Sequence, residues 1–168
     1  PAGSGEWMLG PRSFFGTRDD GTAVMYKLGK VLIAGGNKQL PTNTAEVFDL
    51  TVPNPVWRQV MPMAFARRFP NSTLLPDGTV LVTGGTSQAN ARDDGTGWNP
   101  ANMIFAAELW NPVTETWSTL AAMQTPRSYH STAALLPDGR VLVGGGEAAP
   151  PLDKIDYRSF EIFSPPYL

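Results

Sequence analysis

Apolar residues in this chain come in short runs closed by glycine, and nowhere do they recur at the three-and-four spacing of a helix. The plainest runs are three versions of one phrase: GKVLIAGG at 29–36, GTVLVTGG at 78–85 and GRVLVGGG at 139–146. Each sets β-prone residues before paired glycines, which predicts a buried strand whose exit bends tightly or admits another backbone at close range. Two copies follow a Pro-Asp-Gly turn, in FPNSTLLPDG at 69–78 and SYHSTAALLPDG at 128–139. Proline presets one torsion there and glycine takes a conformation costly to other residues, so the turn joins two antiparallel strands. The first copy, TAVMYKLGKVLIAGG, uses a looser Leu28-Gly29 turn.

Further features recur at matching offsets. An acid-aromatic strand follows each glycine pair: AEVFDL at 45–50, AAELWNP at 106–112 and SFEIFSP at 159–165. A tryptophan strand follows the first two, VWRQV at 56–60 and TWSTL at 116–120. Four strands per unit at a spacing of roughly 50 to 60 residues match the period of kelch blades. The predicted fold is all-β, a partial kelch-type β-propeller of about three four-stranded antiparallel blades. Residues 1–21 form an N-terminal segment, 22–60 blade 1, 61–120 blade 2 and 121–168 blade 3, which lacks its last strand. The segment from Glu6 to Phe15 reads as the tail of a preceding blade or a partner strand. A β-sandwich also accommodates short alternating strands, but it does not explain four features recurring in one order. No helix of ten residues is expected after Thr22, and Leu74, Val80, Val82, Leu135, Val141 and Val143 are predicted to be buried.

Composition narrows the function. Seventeen glycines and sixteen prolines would suggest disorder, but 42% hydrophobic residues can offset the chain entropy, so they punctuate strands. A net charge of −2, spread along the chain, offers no footprint for nucleic acid or a membrane surface. No apolar stretch is long enough to span a bilayer, and Pro1–Gly5 lacks the order of a signal peptide, so a soluble, processed chain is expected. With no cysteine, neither a disulfide framework nor a thiolate metal site can form.

RSYHSTAALLPDGRVLVGGG at 127–146, followed by FEIFSPPYL at 160–168, resembles the last propeller blade of the galactose oxidase and glyoxal oxidase family. TAVMYKLGKVLIAGG with PTNTAEVFDL, and MAFARRFPNSTLLPDGTVLVTGG, resemble the two blades before it. The likeness runs from Thr22 to Leu168, and the Tyr-His pair and the SPPYL close are its most specific parts. It implies a secreted, extracellular radical-copper oxidase that converts a primary alcohol or aldehyde hydrate with O2, giving hydrogen peroxide. In that family two tyrosines and two histidines hold copper on the propeller axis, and one tyrosine is cross-linked to a cysteine. The resemblance makes Tyr129 the axial tyrosine and His130 the adjacent histidine. The remaining ligands, the cross-linked pair and the stacking tryptophan have no counterpart here. Copper(II) favours tetragonal nitrogen and oxygen coordination, so one phenol and one imidazole make a half-site, and copper is expected only with ligands from outside this chain.

Other candidates have plainer readings. RDDGT at 18–22 and 92–96 lacks the alternating ligands of a calcium loop and reads as a turn. Gly144–Gly146 lacks the Lys-Ser/Thr of a phosphate loop. Asn71-Ser72-Thr73 is a glycosylation sequon on a predicted inner strand, where a glycan does not fit. Trp57 and Trp117 are predicted to pack between blades. Trp98, in the long loop 86–103, is a candidate to stack on carbohydrate or a partner. Two functions follow: part of a copper oxidase, or a non-catalytic kelch binding or assembly module. About four to eight blades usually close a ring, so further blades or other chains are expected to cover the open sheet faces.

Overall fold

A computed structural model describes residues 3–90, 99–148 and 155–168. Its strands are β1 (Thr22–Lys27), β2 (Lys30–Ala34), β3 (Ala45–Asp49), β4 (Trp57–Val60), β5 (Asn71–Leu74), β6 (Val80–Thr83), β7 (Ala106–Asn111), β8 (Thr116–Ala122), β9 (Ser131–Leu135), β10 (Val141–Gly145), β11 (Glu147–Ala148), β12 (Ile155–Asp156) and β13 (Phe160–Phe163). They build antiparallel sheets in the orders β1-β2-β3-β4, β5-β6-β7-β8 and β9-β10-β13, with β11 and β12 as a separate small ladder. The fold is all-β, in three blades. The one helical turn among the described residues is a 3-10 turn at Pro100–Asn102, capped by the Asn99 side chain.

Burial along the glycine-ended strands shows how the blades stack. In β6 every residue is buried, with Val80 and Val82 in a cluster with Leu32, Ala34, Val47 and Trp110 of blades 1 and 2. Leu81 points the other way, into a cluster with Leu75, Val141 and Val143 toward blade 3. A central blade needs two apolar faces, and an uninterrupted apolar run supplies them because successive residues alternate sides. The predicted burial holds for Val80, Val82, Val141 and Val143. Leu74 is half-buried against the first cluster. Leu135 corrects the expectation: it is 43% exposed, because it lies outside the cluster packed between blades 2 and 3, whereas Leu74, at the same place in β5, rests on the cluster shared with blade 1.

An arginine in the segment leading into each blade locks that segment to its own sheet. Arg18 Nη1 donates to the Gly35 carbonyl (2.9 Å), Arg67 Nη1 to that of Gly84 (2.8 Å) and Arg127 Nη1 to that of Gly145 (2.8 Å). Nη2 of Arg18 and Arg67 reaches the acid of the third strand, Glu46 or Glu108, at 2.6 Å, and Arg127 approaches Glu161 at 3.7 Å. The carboxylates also accept backbone N–H groups of the lead-in: Phe14 and Phe15 on Glu46, Ala64 on Glu108, Gln124 and Thr125 on Glu161. The lead-in then ties blade to blade. The Arg67 carbonyl accepts the Gly36 N–H (2.9 Å), and the Arg127 carbonyl that of Gly85 (2.6 Å). A Cβ on Gly35 would stand 2.5 Å from the Arg67 oxygen, and one on Gly84 2.3 Å from the Arg127 oxygen. The close backbone approach expected of the glycine pairs is therefore the blade-to-blade contact.

The N-terminal segment follows the same scheme. Trp57 Nε1 donates to the Pro11 carbonyl (3.2 Å), as Trp117 Nε1 donates to that of Met61 (2.8 Å). Trp7 precedes Pro11 by the same four residues that separate Trp57 from Met61, so Trp7 holds the place of a fourth-strand tryptophan. Trp7, Met8 and Leu9 are fully exposed. At the other end, Phe160 and Ile162 lie exposed on the outer face of blade 3.

Gly84→Ala is expected to destabilise the fold by at least about 2 to 3 kcal/mol, because backbone must move. Gly78 also has positive φ but open space around a Cβ. Gly78→Ala should cost only the conformational term, about 1 to 2 kcal/mol, by denaturant unfolding. Arg67 and Glu108 are both wholly buried, so Glu108→Ala should cost about 3 to 5 kcal/mol by leaving a buried cation unpaired. Burial alone would raise the Glu46 carboxyl, but Arg18 and the Phe14 and Phe15 N–H groups outweigh it and hold it below the usual glutamate value of 4.5. A depressed folded-state value stabilises above the unfolded one and is lost as pH falls. Stability should thus fall more steeply below about pH 4.5 in the parent than in Glu46→Gln, measured by denaturation across pH.

Candidate metal centre

The three lead-ins end in a left-handed residue two positions before the strand residue that pairs with the position preceding the glycine pair: Asp20 (φ 59°), Phe69 (φ 56°) and His130 (φ 60°). The reference residues are Thr22, opposite Ala34, Asn71, opposite Thr83, and Thr132, opposite Gly144. Arg18 and Arg67 each precede their reference by four residues, Arg127 by five. Blade 3 therefore carries one extra residue between its arginine and its reference residue, and Tyr129 and His130 sit at the centre of a turn closed by Ser131 N–H to the Ser128 carbonyl (2.8 Å), the counterpart of the Gly21 N–H to Arg18 carbonyl turn (3.1 Å) of blade 1.

The turn brings the two side chains together. Their rings stack with centroids 3.7 Å apart and planes 28° apart. Consecutive residues within a strand would point to opposite faces, so the turn and the left-handed His130 are what permit this. The Phe69 ring meets Tyr129 edge-on at 5.1 Å, and Met103, Phe105 and Tyr157 pack around them. His130 is exposed, and its Nδ1 lies 3.0 Å from Oε1 of Glu147; Nε2 makes no hydrogen bond among the described residues. Thr22 to Ser72 (2.6 Å) and Asn71 to Ser131 (2.9 Å) link the inner strands of successive blades beside this site. Arg68 crosses from blade 2 to bond Asp20 of blade 1, its guanidinium 4.2 Å above the Phe69 ring.

No group of three His, Cys, Asp or Glu side chains that could hold a metal occurs among the described residues. Arg18–Thr22 forms the predicted turn, with the Gly21 N–H on the Arg18 carbonyl, and Asp20 is paired with Arg68. The Asn71 amide nitrogen, in the sequon, donates to the Ser131 hydroxyl. Trp98 and the second RDDGT lie outside the described residues. A groove of about 440 Å³ between blades 1 and 2 lies at the hairpin end of β1, away from the Tyr-His turn; Lys30 pairs with Asp49 there and Arg58 with Glu115, while Lys27 also lines it. The Lys30 ammonium holds Asp49 down to about 2. Sequence reasoning passed over the lead-in arginines and Glu147. The arginines had a signal, since Arg67 and Arg127 follow their blade tryptophans at equal spacing; Glu147 had none.

A profile of the glyoxal oxidase N-terminus family matches residues 40–167, most of the chain. The chain belongs to the glyoxal oxidase family. It is 34% identical over 158 residues to a galactose oxidase of Gibberella zeae, covering 88% of this chain and 22% of that protein. An aldehyde oxidase of Arabidopsis thaliana is 33% identical over 160 residues, covering 82% of this chain and 25% of that protein. Among solved structures, a fungal alcohol oxidase in complex with copper superposes with a TM-score of 0.79 at 26% identity, over 94% of this chain and 33% of its own. The chain thus spans about a quarter of the curated relatives it matches. Within the glyoxal oxidase family frame, no helix among the described residues is long and apolar enough to cross a membrane.

Proposed function

We propose that this chain supplies three consecutive propeller blades of a secreted copper oxidase that converts a primary alcohol or aldehyde with O2, giving hydrogen peroxide, and that Tyr129 and His130 furnish two of its copper ligands. The stacked Tyr-His pair in a lead-in that only blade 3 lengthens is the observation that carries this reading, and it sits within family membership. The donor set fits: an imidazole nitrogen and a phenol oxygen suit copper(II), and the Nδ1 contact with Glu147 leaves Nε2 to face a metal. When bound, copper supplies one-electron redox chemistry. The chain's own contribution is to hold the two donors side by side and to wall the phenol with Phe69 and Met103.

Oxidation of an alcohol to an aldehyde removes two electrons and two protons, which leave with O2 as hydrogen peroxide. Two donors do not fill a tetragonal site, and without cysteine the cross-linked tyrosine of the resemblance cannot form here. The other ligands and the second redox unit are therefore assigned to polypeptide outside residues 1–168. Two features support neighbouring blades. Trp7–Gly10 stands in the register of a fourth strand, and Gly145–Gly146 repeats the glycine pair on which a following lead-in docks in blades 1 and 2. The exposed Phe160 and Ile162 offer an apolar face for that neighbour.

Copper titration followed by electron paramagnetic resonance, with a peroxide assay, tests the reading. The 168-residue chain should bind copper weakly and produce no peroxide. A longer polypeptide carrying the flanking family sequence should bind tightly and turn over, and His130→Ala should abolish both. Tight binding with turnover by the 168-residue chain would overturn the half-site. An unchanged copper spectrum in His130→Ala would remove the ligand role and favour a binding module.

A further inference from the structure

The residue after each glycine pair makes the same backbone bond: Asn37 N–H to the Asp19 carbonyl (2.8 Å), Thr86 N–H to that of Arg68 (3.0 Å) and Glu147 N–H to that of Tyr129 (2.9 Å). Position 147 is thus fixed against the lead-in turn by the repeat itself. Only in blade 3 does this position carry a carboxylate, and only in blade 3 does the left-handed lead-in position carry a histidine. The two side chains meet, Nδ1 to Oε1, at 3.0 Å, with Glu147 mostly buried and the imidazole mostly exposed. Glu147 therefore grips both members of the pair: its backbone holds the Tyr129 carbonyl and its carboxylate holds the His130 ring.

We infer that Glu147 is a positioning residue that accepts the Nδ1–H of His130, fixes that tautomer and the ring orientation, and leaves the Nε2 lone pair as the ligand nitrogen. A carboxylate is the strongest acceptor the chain could place there, and an ionised acceptor binds an N–H more tightly than a neutral one. A free histidine side chain favours the opposite tautomer, with the proton on Nε2, which has no lone pair to give a metal. Carboxylate partners of this kind set the tautomer and basicity of metal-binding imidazoles, and losing one costs about 10- to 100-fold in metal affinity. The functional consequence rests on the copper reading above; the tautomer does not.

His130 is the only histidine, so its ring nitrogens can be read without ambiguity in the metal-free protein. Long-range proton–nitrogen correlation spectra of the neutral imidazole should show Nδ1 protonated and Nε2 bare. Glu147→Leu should move the population toward protonated Nε2, and Glu147→Gln, which keeps a neutral acceptor of the same shape, should move it part of the way. Should the leucine variant not fold, the glutamine variant alone carries the test. A tautomer unchanged in the folded variants overturns the inference, whatever copper does. Copper(II) titration of the longer, copper-binding polypeptide separates the two ideas. Affinity should fall about 10- to 100-fold in Glu147→Leu and be lost in His130→Ala. A shifted tautomer with copper binding untouched by His130→Ala would uphold the contact and overturn the copper reading.

Discussion

Everything in this molecule depends on a carbonyl oxygen pressed against a glycine. The peptide oxygens of Arg67 and Arg127 lie so near Gly35 and Gly84 that a side chain on either glycine would overlap them. That contact sets blade on blade, and it needs the lead-in backbone held within a fraction of an ångström. The holding is done by the same residue's guanidinium, buried between a strand-two carbonyl and a strand-three carboxylate. Burying a cation is costly, and here the cost is offset by a full carboxylate partner and by carbonyls that would otherwise lack a donor. One nitrogen is left over in each copy: Nε of Arg18, of Arg67 and of Arg127 is buried without a partner. The same omission in all three shows one pose reproduced by one local sequence.

Much of this could be read from the chain. Paired glycines after Val31–Ala34, Val80–Thr83 and Val141–Val143 marked both the strands and the close approach, because only a residue without a side chain tolerates it. Pro-Asp-Gly marked two hairpins. What could not be read was long-range partnering. Arg67 and Glu108 are joined by 2.6 Å in space and separated by two strands and a long loop in sequence, so neither advertises the other. Leu135 looked like Leu74 in an identical local phrase, yet one is covered and the other is not, since cover comes from the neighbouring blade. Trp7 could be placed only after the indole of Trp57 was seen to reach Pro11.

The candidate site was half legible. Tyr129 and His130 stood out by resemblance, and their place in a turn explains how adjacent residues can face one point. The extra residue in the lead-in was hidden, because it shows only when strand pairings give three blades a common register. Glu147 was hidden because its meeting with His130 is made by the left-handed Gly145 and Gly146 and by its N–H bond to the Tyr129 carbonyl, which sequence spacing does not describe.

Asp20, Phe69 and His130 occupy one address in three copies, and the copies share the arginine bond to a glycine carbonyl that fixes each lead-in. The side chain at that address makes none of the arginine-to-glycine bonds, so it can differ from blade to blade, an acid on Arg68, a ring against Tyr129 and an imidazole beside Glu147, without disturbing them. The single lengthened lead-in of blade 3 is a change of the same kind: it is confined to one of three like parts and leaves the architecture that carries it unaltered.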